Sequence, residues 1–193
     1  MILGMSLGTF TLVHVLISLV AIAAGLIAMV GLLTSNPLRG WTALFLLLTI
    51  LTSITGFFFP FATLLPSHIV GIISLVLLCA ALVALYVRHL AGFWRRVYIV
   101  TAILALYLNV FVLIVQAFQK VGPLQTLAPT QTEPPFLVAQ GAALVVFGLA
   151  IIIAGGPGAP PPPPGGGGPR AGGGGGGFLW QPPPKRDVGA RGG

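Results

Sequence analysis

Apolar residues run through this chain in long blocks, and polar residues collect between the blocks. Five blocks stand out, over residues 10–33, 41–64, 67–87, 97–118 and 136–154, and the first has room to begin earlier. Each comes close to the roughly 20 residues that cross a hydrocarbon layer about 30 Å thick. A backbone in hydrocarbon must satisfy its own N–H and C=O groups, so each block is predicted to be a helix. The expected fold class is an all-α bundle of transmembrane helices over residues 1–154, followed by a disordered Gly/Pro-rich tail over residues 155–193.

The breaks between blocks carry the residues that end helices. Asn36, Pro37 and Gly40 separate the first two, and Pro66-Ser67 ends the second and offers Ser67 as an N-cap for the third. Arg88, His89 and Gly92 divide the third from the fourth. Gly122-Pro123, Pro129 and Pro134-Pro135 predict a longer loop before the fifth. Pro60 falls within the second block and should kink or terminate its helix. Ala21-Ile22-Ala23 resembles a signal cleavage site, but no Lys or Arg precedes it and the apolar run continues to Leu33. Those flanks predict a retained helix.

Composition strengthens the membrane reading. Only 6% of residues are charged and 56% are hydrophobic, whereas a soluble domain carries roughly 25% charged residues. Glu133 and Asp187 are the only acids, one in a loop and one in the tail, so no carboxylate pair can perform acid–base catalysis. No acid falls inside an apolar block, which excludes a proton pump built on buried carboxylates. The net charge of +7 is not a nucleic-acid signal, because the basic residues sit at helix ends and in the tail without interleaved aromatics. Cys79, the one cysteine, lies in an apolar run and reads as a small packed side chain.

The basic residues instead give an orientation. Arg39, then Arg88, Arg95 and Arg96, then Arg170, Lys185, Arg186 and Arg191 follow the first, third and fifth helices. Only Lys120 and Glu133 mark the opposite side. By the positive-inside rule the N-terminus lies outside and the C-terminus in the cytoplasm, with Trp41 and Trp94 at the inner interface.

With directions assigned, the polar residues inside the spans sort themselves. Steps of three and four put His14, Ser18, Ala21, Gly25 and Ala28 on one face of the first helix. Thr49, Thr52, Ser53 and Gly56 do the same on the second, and Thr101, Ala105, Asn109, Val112 and Gln116 on the fourth. Close helix packing is the plain account of these stripes. The outer end collects His14, His68, Gln116, Gln119, Lys120, Glu133 and Gln140, with Asn109 deeper. Imidazole can ligate haem iron or hydrogen-bond a quinone, which makes His14 and His68 the candidate cofactor residues for haem b or a quinone. A bis-histidine haem needs matched depth on two helices, and His14 lies deeper than His68. No catalytic motif, P-loop or dinucleotide fingerprint is present, and Pro60 is the one break within a span of the kind transporters use.

Residues 155–193 hold 16 of the 27 glycines and 10 of the 17 prolines. Pro160 to Pro164 predict a short polyproline rod, and Gly172 to Gly177 a flexible coil. Two origins fit this tail: a cytoplasmic linker whose Lys185-Arg186 meets anionic lipid, or a frameshift product of GC-rich DNA.

The stretches SNPLRGW (35–41), TGFFFPF (55–61), LPSHIVGIISL (65–75) and APTQTEPPF (128–136) resemble a group of uncharacterised bacterial inner-membrane proteins. The likeness covers residues 10–154 and implies a multi-pass protein of the bacterial inner membrane, with no activity to carry over. The sequence therefore points to a non-enzymatic binding or assembly component, in a lipid bilayer, with other membrane proteins or a homo-oligomer as partners. A redox module using His14 and His68 and a small-solute transporter are the alternatives.

Overall fold

The computed structural model describes residues 4–36, 38–59 and 66–156. The predicted tail (from residue 157 on) and the predicted kink at Pro60 lie outside the described residues. The described residues are all-helical, without a strand. The helices are α1 (Leu7–Leu33), α2 (Arg39–Gly56), α3 (Pro66–Leu82), α4 (Phe93–Lys120), α5 (Gly122–Leu127) and α6 (Pro134–Gly155), and a π-helical turn, Val83–Val87, extends α3. Five of them (α1, α2, α3 with its π turn, α4 and α6) are long and apolar enough to cross a membrane. This chain has the structure of an integral membrane protein.

The boundaries differ from the sequence expectation in four places. The second helix ends at Gly56, not at residue 64, and residues 57–59 are turn and bend. Pro60 supplies a cause, because the residue before a proline is sterically kept out of the helical region. The fourth helix begins at Phe93, so Arg95 and Arg96 stand in its first turn and not in a loop. Arginine is a good helix former whose charge reaches past the end of the apolar span. The fifth span begins at Pro134, because proline suits the first helical positions, where its missing N–H has no partner to lose. Finally, the loop before it contains a short helix of its own, α5.

The turn between α1 and α2 is built by the backbone. Ser35 adopts φ 57°, and Asn36 N–H donates to the Gly31 carbonyl at 2.9 Å, closing the α1 end in a Schellman motif. A Cβ on residue 31 would lie 2.7 Å from the Asn36 carbonyl oxygen, so glycine is required there.

Helix α4 lies against α3, α6, α1 and α2, while α1 pairs most extensively with α2. In lipid there is no hydrophobic gain from bringing apolar helices together, so close packing has to supply it. Small residues permit it. Ala21, Ala24, Gly25 and Ala28 of α1 are buried, as are Ala81 of α3, Ala84 of its π turn and Ala102 and Ala105 of α4. Phe45, Leu78, Ile99, Ile103 and Leu106 fill the spaces that these small residues leave. The remaining apolar surface faces outward: Val138 and Ile152 of α6 are 69% and 68% exposed. So large an apolar surface suits hydrocarbon and not water.

Candidate functional site

Helix α2 ends beside the start of α1, and a polar seam joins them. The α2 threonines at 49, 52 and 55 recur every three residues, along one side of the helix. His14 Nδ1 lies 2.8 Å from Thr55 Oγ1. One turn further along α1, Ser18 Oγ donates to the His14 carbonyl at 2.7 Å and lies 3.4 Å from Thr52 Oγ1. Phe59 covers the other side of the imidazole, edge-on at 5.2 Å, and packs in turn on Phe10 at 5.1 Å.

Deeper in the bundle, Asn109 Nδ2 donates to Thr49 Oγ1 at 3.1 Å, tying α4 to α2. Thr49 is fully buried. A polar pair here satisfies groups that hydrocarbon would leave bare.

A third set of contacts holds α6 and its preceding loop to α4. Gln140 Nε2 donates to the Phe111 carbonyl at 3.2 Å, and Gln131 Nε2 to the Val115 carbonyl at 3.3 Å. Gln140 Oε1 is buried and has no hydrogen-bond partner among the described residues. Phe118 and Phe136 meet edge-to-face at 5.4 Å, and with Ala128 they form a small core beneath α5.

Glu133, at the start of α6, folds its carboxylate back over the loop. It accepts from Thr130 N at 3.1 Å, Thr130 Oγ1 at 2.8 Å and Thr132 N at 3.0 Å. Desolvation alone would raise its pKa, but the hydrogen bonds from Thr130 and Thr132 outweigh this and hold it below the ordinary 4.5. Its side chain does not cap α6, and α6 needs no such cap. Pro134 and Pro135 have no N–H, and the next two amides, Phe136 and Leu137, donate to the Glu133 carbonyl at 3.1 and 3.2 Å.

The side chains of the predicted outer-end cluster make different direct contacts. His14 belongs to the α1–α2 seam, Asn109 to the α2–α4 pair, and Gln140 to the α4–α6 contact. Glu133 is engaged by its own loop. Gln116 is half-buried on α4, and Gln119 and Lys120 are exposed at its end. His68 is buried and packs on Phe57 at 5.7 Å, two residues along the chain from the ring that covers His14. The two imidazoles rest on different rings, His14 on Phe59 and His68 on Phe57. His89 sits in the turn after the π-helical segment, with φ 48°. Beside it the Arg88 guanidinium lies 4.9 Å from the Trp94 ring centre.

Sequence reasoning left out Thr55, the residue that fixes His14. The signal was there in the threonine spacing of three along α2. It also left out Thr130 and Thr132, although a threonine-rich run directly before a lone acid is a pattern that can enclose a carboxylate. No family model, no curated protein and no solved structure matches the chain.

Proposed function

We propose that this membrane protein is a non-enzymatic binding or assembly component, and that its partner docks on the segment between α4 and α6. The observation that carries this reading is the construction of that segment. Residues 121–133 are fastened from beneath by the Phe118–Ala128–Phe136 core, by Gln131 on the Val115 carbonyl and by the Glu133 carboxylate. Their upper side nevertheless remains open, with Val121 and Leu127 exposed beside Gln125 and Thr126. Fixing a backbone costs about 1–2 kcal/mol per residue, and a mere connector between two spans has no need of it. An ordered segment bearing exposed apolar groups is the kind of surface a partner recognises.

In the orientation that the arginines favour, this segment faces outward from a bacterial inner membrane, in keeping with the resemblance noted above. The partner is another membrane protein or a second copy of the chain. Photo-crosslinking residues introduced at Gln125 and Leu127 test the reading in intact membranes, with Ile152 as the lipid-facing control. A discrete protein adduct at 125 and 127 but not at 152 is the expected result. Lipid adducts alone at all three positions would remove it.

A further inference from the structure

The hydroxyl of Thr55 has one proton, and its position can be deduced. Thr55 Oγ1 lies 2.7 Å from the Leu51 carbonyl oxygen and 3.2 Å from the Thr52 carbonyl oxygen. A carbonyl has no proton to give, so the 2.7 Å contact holds only if Thr55 donates to Leu51. Toward His14 Nδ1, at 2.8 Å, the same oxygen must therefore accept. Neutral His14 then carries its proton on Nδ1, and Nε2 presents a bare lone pair.

Nε2 makes no hydrogen bond among the described residues, and the His14 side chain is only half-buried. The Phe59 ring stands edge-on to the imidazole and rests in turn on the buried Phe10. Gly56 presents no side chain to it: a Cβ there would sit 3.9 Å from His14 Cε1, in ordinary contact. An oriented acceptor in an aromatic setting within a membrane span suits a ligand that is itself an apolar ring bearing a hydroxyl donor.

We infer that His14 Nε2 is the hydrogen-bond acceptor of a site for a ring hydroxyl of the quinol class, entering from the bilayer beside Phe59. The ligand's O–H donates to Nε2, its ring packs on Phe59, and Thr55 holds the acceptor in the required tautomer. No electron transfer is part of this proposal. It is also independent of the docking segment, which involves none of these residues.

The test uses the full chain in lipid nanodiscs with ¹⁵N-labelled histidine, assigned by loss of a signal in His14→Gln. The His14 ring is expected to show protonated Nδ1 and bare Nε2, and Thr55→Val to redistribute that proton. A short-chain benzoquinol should shift the Nε2 signal, and its dimethyl ether, with the same ring but no O–H, should bind about tenfold more weakly. His14→Gln should weaken quinol binding to a similar degree, and Gly56→Leu should obstruct it while preserving the tautomer. A protonated Nε2 in the unliganded chain would overturn the proposal. Equal binding of quinol and ether, or no quinol binding alongside the expected tautomer, would overturn the assigned ligand. The crosslinking result at 125 and 127 would stand in either case.

Discussion

Gly25 gives the sharpest test of how the bundle is held together. A Cβ at this position would lie 2.5 Å from Leu106 Cδ1 and 2.7 Å from Phe45 Cδ2. Carbon atoms pack best at about 3.5–4.0 Å, so each neighbour would have to retreat by roughly an ångström. Both are flexible side chains, but Leu106 is 1% exposed and Phe45 3%, which leaves them little space to enter. Overpacking of this kind costs about 1–3 kcal/mol. Against it stands a gain of about 1 kcal/mol from replacing glycine by alanine within a helix. Gly141→Ala isolates that gain, because nothing lies within 4 Å of its added Cβ. The stability gap between Gly25→Ala and Gly141→Ala is therefore the steric cost itself, about 1–3 kcal/mol. Reversible unfolding in mixed micelles, followed by circular dichroism as the denaturing detergent fraction rises, measures it. Adding Leu106→Ala to Gly25→Ala should recover part of the loss, beyond what the single changes predict. Equal midpoints for the two glycine variants would refute the argument that α1, α2 and α4 are held by contact at Gly25.

Two further outcomes follow from the polar contacts. Replacing Asn109 by Leu and Thr49 by Val, singly and together, should give a coupling energy near 0.6 kcal/mol and below about 1.7 in the same unfolding assay, and zero coupling would deny the 3.1 Å bond a role in stability. Glu133 is held below its ordinary value of 4.5, so its stabilisation of the loop is fully present above that pH and is lost as pH falls through the lowered value. Hydrogen-exchange protection of the Thr130 and Thr132 amides should be flat down to about pH 4.5 and then fall, whereas Glu133→Gln should show no such step. Unchanged protection through the acid range would count against the carboxylate.

Five spans could be read from hydropathy because the bilayer imposes both a length and a helix on every apolar run. Their ends were less legible, since different forces set them. Phe57, Phe58 and Phe59 are as apolar as the helix before them, so hydropathy carries the second block past Gly56 while the backbone ends the helix there. At the start of α4 the reverse holds: Arg95 and Arg96 look like a loop by charge but are helical by propensity. The small-residue stripe of α1 was legible, and Ala21, Gly25 and Ala28 are indeed buried. The polar arrangements were legible only as inventories. Spacing can place His14 and Thr55 on faces of their helices, but which helices become neighbours is a tertiary fact. The pairing of Asn109 with Thr49, sixty residues apart in sequence, belongs to the same class.

The paired prolines at the start of α6 have a consequence for the lipid around them. The exposed amides at the beginning of a helix normally form a small positive cradle, ready to grip phosphate. Here two of those amides do not exist and the next two are already committed to the Glu133 carbonyl. The first turn of α6 therefore keeps no free backbone N–H with which to grip a phosphate. The helix start thus lacks the usual anion cradle, and the nearby cation Lys120 stands exposed at the end of α4.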